Sequence, residues 1–230
     1  MSFQADEVAR TWSCVLFDLD GTLTDSAPGI TRSLQQMFEA IGRPVHSEEE
    51  LMAYVGPPLA TTLRSREDFT QEQAEHALEL YRGFAEASDL IDNAVFPGIV
   101  GLLESLQDDG IPIGLATSKP TTRAQRILDH FDLTRFFTFI GGASDDETRS
   151  AKADVVAYTL AELAKLGVDI SRPVMVGDRF YDVEGANAND VPTIMVEWGY
   201  GSPAEATGTI AVVHSVDQLR SLLLGQAVAA

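Results

Sequence analysis

Val15-Leu16-Phe17-Asp18-Leu19-Asp20-Gly21-Thr22-Leu23-Thr24 is the stretch on which the reading of the whole chain turns. Val15, Leu16 and Phe17 form the short apolar run of a strand buried on both faces. The run carries two carboxylates, spaced two residues apart, to a glycine turn at its carboxyl end. If the strand continues, Asp18 and Asp20 share one face, and like charges meet in a partly desolvated place. That is costly unless a cation sits between them, as it does in a metal-dependent phosphoryl-transfer site. A plain Asp-Gly turn is the bland alternative. The apolar run before it and a second aspartate pair downstream argue against that alternative.

Working outward, the segment from about Asp25 to Ala94 reads as helical. Pro28 to Ile41 places Ile30, Leu34, Met37, Phe38 and Ile41 on one stripe that ends at Gly42. Ser47 with Glu50, and Thr70 with Gln73, are capping boxes for helices beginning at Glu48 and just after Thr70. Gly56-Pro57-Pro58 interrupts between them. Nothing in this stretch alternates like a strand.

Beyond Phe96-Pro97-Gly98 the pattern changes to strand–helix alternation. Strands are expected at Ile111–Ala116, Phe136–Ile140, Val174–Val176, Thr193–Val196 and Ala211–Val213. Helices are expected at Ile99–Asp109, Pro120–His130, Lys152–Leu166, Asp182–Asn189 and Val216–Leu224. This alternation specifies a parallel sheet covered by helices on both faces. The expected architecture is a doubly wound α/β core, residues 1–24 and 95–230, with an all-helical cap, 25–94, inserted after the first strand.

In such sheets the site lies outside the carboxyl ends of the strands, at a switch in strand order. Asp18 and Asp20 follow the first strand, Thr117 and Ser118 follow Ile111–Ala116, Lys152 opens a helix, and Gly177, Asp178 and Asp182 follow Val174–Val176. Each fits one reaction. Asp18 attacks phosphorus and forms an aspartyl phosphate. Asp20 protonates the leaving oxygen and later deprotonates the attacking water. Asp178 holds Mg²⁺ with Asp18 and the Asp20 backbone carbonyl, while Asp182 orients a metal-bound water; hard oxygen ligands suit Mg²⁺ rather than zinc. Thr117 and the amides ahead of Pro120 offer an anion site, and Lys152 neutralises the transferring group. A cation in the first turn opposes the helix dipole, so Lys152 calls for another reason to be there. Asp178 and Asp182 can also be read as helix-capping carboxylates, and Thr117 as a structural strand end.

Composition sets outer bounds. The 230 residues are 45% hydrophobic and 22% charged, as in an ordinary globular protein. A net charge of −19 disfavours a nucleic-acid polymer as partner, so an anionic substrate needs local cations. No apolar stretch approaches the roughly 20 residues of a membrane span, and Met1 to Arg10 lacks the apolar core of a signal peptide. The single cysteine, Cys14, fits a reducing cytoplasm.

Asp18-Leu19-Asp20-Gly21-Thr22, Thr117, Lys152 and Gly177-Asp178-Arg179-Phe180-Tyr181-Asp182, in this order, resemble the four motifs of the haloacid dehalogenase superfamily. The helical insert resembles the cap of the phosphoglycolate phosphatase-like subgroup. Tyr54-Val55-Gly56-Pro57-Pro58-Leu59, Ala116-Thr117-Ser118-Lys119-Pro120 and Trp198-Gly199-Tyr200-Gly201-Ser202 are similar to a branch described as 5′-nucleotidase-like. Many relatives carry proline after the motif-three lysine, whereas Ala153 follows Lys152 here, so Arg149 is a second candidate for that role. The resemblance implies a Mg²⁺-dependent hydrolase of a small phosphate monoester, such as phosphoglycolate or a nucleoside monophosphate. A phosphomutase, or a non-catalytic binding protein on the same fold, is the alternative. Substrate choice is expected from the insert, with Arg64 or Arg66 meeting a second anionic group.

Overall fold

The computed structural model describes residues 11–225 except 45, 58 and 147. The signal-peptide reading of Met1 to Arg10, and Pro58 in the interrupted helical segment, lie outside the described residues.

The main sheet contains β1 (Cys14–Phe17), β4 (Ile113–Pro120), β5 (Phe139–Ala143), β6 (Pro173–Gly177), β7 (Thr193–Val196) and β8 (Ala211–Val213), in the order β5-β4-β1-β6-β7-β8. All its pairings are parallel. From β1 the chain moves to β4 and β5 on one side, then crosses back to β6, β7 and β8 on the other. The order therefore switches around β1, which opens a crevice at the carboxyl ends of β4, β1 and β6.

Alternation along β1 explains why the strand is apolar throughout. Val15 and Phe17 enter a cluster shared with α5 (Ile99–Asp108), α6 (Thr121–His130) and α9 (Val216–Leu223). Cys14 and Leu16 enter a cluster on the opposite face with α7 (Lys152–Lys165) and α8 (Phe180–Asn187). Helices thus cover both faces, and the doubly wound expectation holds.

A short antiparallel ribbon, β2 (Thr24–Asp25) with β3 (Ala94–Val95), brackets α1 (Ala27–Ala40), α2 (Glu48–Met52), α3 (Leu59–Arg64) and α4 (Gln71–Ile91). These four helices bury a cluster of their own, including Leu34, Met37, Phe38, Leu51, Leu63 and Leu78. Both capping boxes form, Ser47 with Glu50 and Thr70 with Gln73.

Four expectations shift. The strand expected at Ile111–Ala116 runs from Ile113 to Pro120, so Thr117 and Ser118 lie within it. The strand expected at Phe136–Ile140 begins at Phe139, because Thr134–Phe136 is a 3₁₀ turn and pairing with β4 draws in Gly141, Gly142 and Ala143. Here neighbour pairing outweighs the poor strand propensity of glycine and alanine. The helix expected to open at Asp182 begins at Phe180, so Asp182 sits inside its first turn. The short α3 was not expected, since six residues are too few to show a helical period.

Candidate active site

Three carboxylates from two strand ends and one helix meet at the crevice. Asp18, Asp178 and Asp182 are all buried, and each offers an oxygen within 4.8 Å of the others. Asp18 leaves β1 with its N–H donating to the Val176 carbonyl at 3.0 Å, which aligns the two strand ends.

Lys152, buried in the first turn of α7, reaches into this group. Its Nζ lies 2.8 Å from Asp18 Oδ1 and 2.7 Å from Asp182 Oδ1, and it donates to the Ala116 carbonyl at 3.0 Å. Burial opposes its charge, but Asp18 and Asp182 hold the ammonium pKa above its ordinary value. Arg149 is placed elsewhere: its Nε donates to the Gly142 carbonyl at 3.2 Å and its guanidinium lies 3.7 Å over the Tyr158 ring. Lys152, not Arg149, therefore stands at the acidic trio.

Three carboxylates against one ammonium leave two excess negative charges in a dry place. Burial pushes the Asp18 carboxyl upward, Lys152 pulls it back, and Asp182 adds to the rise. Asp178 is pushed well above the carboxylate range by burial and by the charges of Asp182 and Asp18. Hard oxygen donors with this charge imbalance fit a divalent cation of the Mg²⁺ type.

Asp178 is held from several sides. Thr22 Oγ1 donates to its Oδ1 at 3.2 Å and the Tyr200 N–H to its Oδ2 at 2.7 Å. The approach demands glycine at two places. Gly21 has φ +81°, and a Cβ at Gly21 or Gly199 would collide with the Asp178 carboxylate. Asp182 does two things at once: Oδ2 accepts from the Arg179 N–H at 3.0 Å, capping α8, while Oδ1 faces Lys152. Asp182 thus both caps α8 and joins the acidic trio.

The Asp20 carboxylate stands outside the trio. Its Oδ1 lies 3.1 Å from Lys119 Nζ, so only its backbone carbonyl remains as a candidate metal ligand. Lys119 is a residue that sequence reasoning passed over, as are Asp89 and Arg123 beside it. Its Nζ lies 3.5 Å from Asp89 Oδ1 on α4, and Arg123 of α6 binds Asp89 through Nε and Nη2, both at 2.7 Å. Although burial opposes it, Lys119 and Arg123 hold the Asp89 carboxyl below its usual range. The only sequence signal was the quoted Ala116–Pro120 run; Asp89 is one acidic residue among several on α4.

A cavity of about 100 Å³ opens above Asp18 and Asp20, lined by Thr117, Ser118 and Lys119 from the core side and by Tyr54 and Leu59 from the insert. Thr117 Oγ1 accepts the Lys119 N–H at 3.2 Å, and Ser118 Oγ is buried without a hydrogen-bond partner among the described residues.

Arg64 is partly exposed, its Nε lies 2.7 Å from Glu75 Oε1, and it does not line this cavity. Arg66 pairs with Asp68 and reaches the Tyr54 hydroxyl. Both arginines are neutralised on the insert's own surface. Trp198 and Tyr200, whose role was open, brace the site: Trp198 Nε1 donates to the Thr22 carbonyl at 3.1 Å. The Tyr200 hydroxyl accepts from the Ser26 and Ala27 N–H groups at 2.7 and 2.9 Å.

Comparison with known proteins places this geometry among relatives. A family model described as haloacid dehalogenase-like hydrolase matches residues 15–196. A protein of Mycobacterium tuberculosis named tyrosine-protein kinase PtkA is 43% identical over 91% of this chain and 72% of its own length. A 5′-nucleotidase of Pseudomonas aeruginosa is 37% identical over 86% of this chain and 89% of its own. Among solved structures, a predicted phosphatase from Clostridium acetobutylicum superposes with TM-score 0.86 at 41% identity, covering 93% of this chain and 99% of that one.

Proposed function

The chain belongs to the haloacid dehalogenase-like hydrolase family and is a phosphoric monoester hydrolase, and on that premise we propose that it is a Mg²⁺-dependent phosphatase acting through an aspartyl phosphate on Asp18. The observation that carries the reading is Lys152 Nζ lodged between Asp18 and Asp182, with Asp18 itself lining a cavity that Thr117 and Ser118 also line.

A carboxylate oxygen of Asp18 attacks phosphorus in line, forming an acyl phosphate as the bond to the leaving oxygen breaks. Asp20 gives its proton to that oxygen, and the alcohol departs. Asp20 then takes a proton from water, which attacks phosphorus and releases inorganic phosphate while regenerating the Asp18 carboxylate. Lys152 offsets the charge on nucleophile and phosphoryl oxygens, and Thr117 and Ser118 offer hydroxyl donors to the same oxygens. Asp18, Asp178, Asp182 and the Asp20 carbonyl would hold Mg²⁺, which when bound compensates charge on the carboxylates and the phosphoryl group.

The insert, residues 25–94, acts in this proposal as a cap over the core formed by 1–24 and 95–230. Ties across the two include Asp89 with Arg123 and the Val55 carbonyl with Arg179. Closure would exclude bulk water while leaving room for one attacking molecule. The substrate is a small-molecule phosphate ester. No helix among the described residues is long and apolar enough to cross a membrane, and a cytoplasmic setting is proposed from the lone Cys14.

The test is inorganic phosphate release from p-nitrophenyl phosphate. Turnover is expected with Mg²⁺ and not with EDTA, and Asp18→Asn is expected to fold and be inactive. Substantial turnover by that variant would reject the proposal.

One finding favours a second reading: the relative at 43% identity is named a tyrosine-protein kinase. On that reading the phosphoryl group passes to a tyrosine hydroxyl rather than to water. Labelled phosphate moving from ATP onto a tyrosine, in wild type and not in Asp18→Asn, would establish it.

A further inference from the structure

A second cavity, of about 480 Å³, adjoins the first between α3 and α4 of the insert and α6 of the core. The two share Leu59, Tyr81, Ser118, Pro120 and Arg123 as walls. A phosphoryl group above Asp18 therefore has space on the side away from the nucleophile for a large leaving group. The volume falls in the range of small-molecule pockets, roughly 300–1,000 Å³.

The charges around this chamber cancel. Arg82, Arg123 and Arg126 line it, together with Glu86 and Asp145. Arg126 lies 2.8 Å from Glu86, and Arg123 is held bidentately by Asp89. Counting Asp89, three guanidinium groups face three carboxylates. Nearer the nucleophile, Lys119 is likewise matched, by Asp20 at 3.1 Å. Leu59, Leu78, Tyr81 and Pro120 supply apolar wall.

At the inner wall, where Arg123 and Asp89 are largely buried, a leaving group with its own carboxylate would need an uncompensated cation, because a buried unpaired charge is strongly disfavoured. An uncharged ring system needs only apolar wall and a few hydrogen-bonding groups. The resemblance to phosphoglycolate phosphatases favours a compact, doubly anionic ester; the chamber favours the opposite.

We infer that Asp89 is a specificity-determining residue: by neutralising Arg123 it reserves the chamber for phosphate esters of bulky, uncharged alcohols, a nucleoside or a phenol, and disfavours esters bearing a second anion. This deepens the proposed phosphatase reading and rests on it. The substrate phosphate stays with the groups above Asp18, and Asp89 acts on the leaving group through Arg123, which walls both cavities.

The experiment compares kcat/KM for adenosine 5′-monophosphate, phenyl phosphate and phosphoglycolate with Mg²⁺ present. Wild type is expected to favour at least one of the first two over phosphoglycolate by about tenfold or more. Which of the two is higher separates a nucleoside from an aryl leaving group. Asp89→Asn leaves Arg123 uncompensated while Lys119 keeps Asp20, and is expected to shift the ratio toward phosphoglycolate by about tenfold. Ala60→Trp, which narrows the chamber without touching the ion pairs, is expected to lower the ratio of bulky to compact ester by a similar factor. Preference of wild type for phosphoglycolate, or an unchanged ratio in both variants, overturns the inference and leaves the phosphatase reading intact. No hydrolysis of any ester overturns both.

Discussion

Nζ of Lys152 stands 2.8 Å from Oδ1 of Asp18, although one residue opens α7 and the other ends the first strand of the sheet. The contact places a cation at a helix N-terminus, where the peptide dipoles oppose it. Only the facing carboxylates of Asp18 and Asp182 make that placement stable.

Lys152→Met therefore leaves buried carboxylates without their counter-charge. The metal-free variant is expected to lose about 3 kcal/mol of stability, the usual scale for breaking a buried ion pair. Its kcat is expected to fall on the order of 10²- to 10³-fold. Chemical denaturation without metal, together with phosphate release, measures both; wild-type kcat in Lys152→Met would contradict the assignment.

The raised carboxyls of Asp18 and Asp178 give a pH dependence of known sign. Groups whose folded pKa is raised add stability below the ordinary carboxylate pKa, and that stability is lost as pH rises through the folded value. Asp89, held low, contributes at all pH values above the ordinary carboxylate range and loses its contribution only below it. Metal-free protein is therefore expected to melt higher near pH 5 than near pH 7, and Mg²⁺ to remove most of the difference at pH 7. Melting curves at the two pH values with EDTA or Mg²⁺ check it; a metal-free protein more stable at pH 7 would refute it.

Gly199→Ala tests how tightly Asp178 is held. The added Cβ would meet the Asp178 carboxylate and the Gly21 carbonyl, so the loop carrying Trp198 and Tyr200 must shift. A destabilisation of about 1–3 kcal/mol is expected, with weakened Mg²⁺ activation. Titrating activity against Mg²⁺ reads the second effect, and an unchanged half-saturation would show that the loop does not position Asp178.

Cys14 provides a check on the core. It is fully buried, and burial pushes its thiol up to about 11, with the Ser13 hydrogen bond opposing and the Asp169 charge assisting. The thiol is expected to resist aromatic disulfide reagents at pH 8 until the protein unfolds. Stability linked to it is lost as pH rises from about 9 to about 11. Rapid native labelling would contradict the packing of β1.

Much of this architecture was legible before any coordinates. The apolar run 15–17 and the alternation after residue 97 specify a parallel sheet, and strand-end geometry then brings Asp18 to Asp178 on one side and to the cavity shared with Thr117 on the other. What stayed hidden depends on side chains meeting across elements. Asp89 on α4 is indistinguishable in sequence from the helix's other acidic residues until α6 brings Arg123 against it. Arg64 carries in the sequence no sign of its partner, Glu75, which lies eleven residues on, near the start of the neighbouring helix. Strand β5 was displaced by three residues for the same reason, since pairing with β4 rather than local propensity decides where it begins.

The most direct measurement is mass mapping of acid-quenched enzyme during turnover of p-nitrophenyl phosphate. An ester with so good a leaving group lets the first step proceed without proton donation, so Asp20→Asn is expected to accumulate phosphate on the Asp18 peptide. Wild type should show it transiently and Asp18→Asn not at all. Phosphate mapped to any other residue, or turnover with Asp18 replaced, would contradict the account.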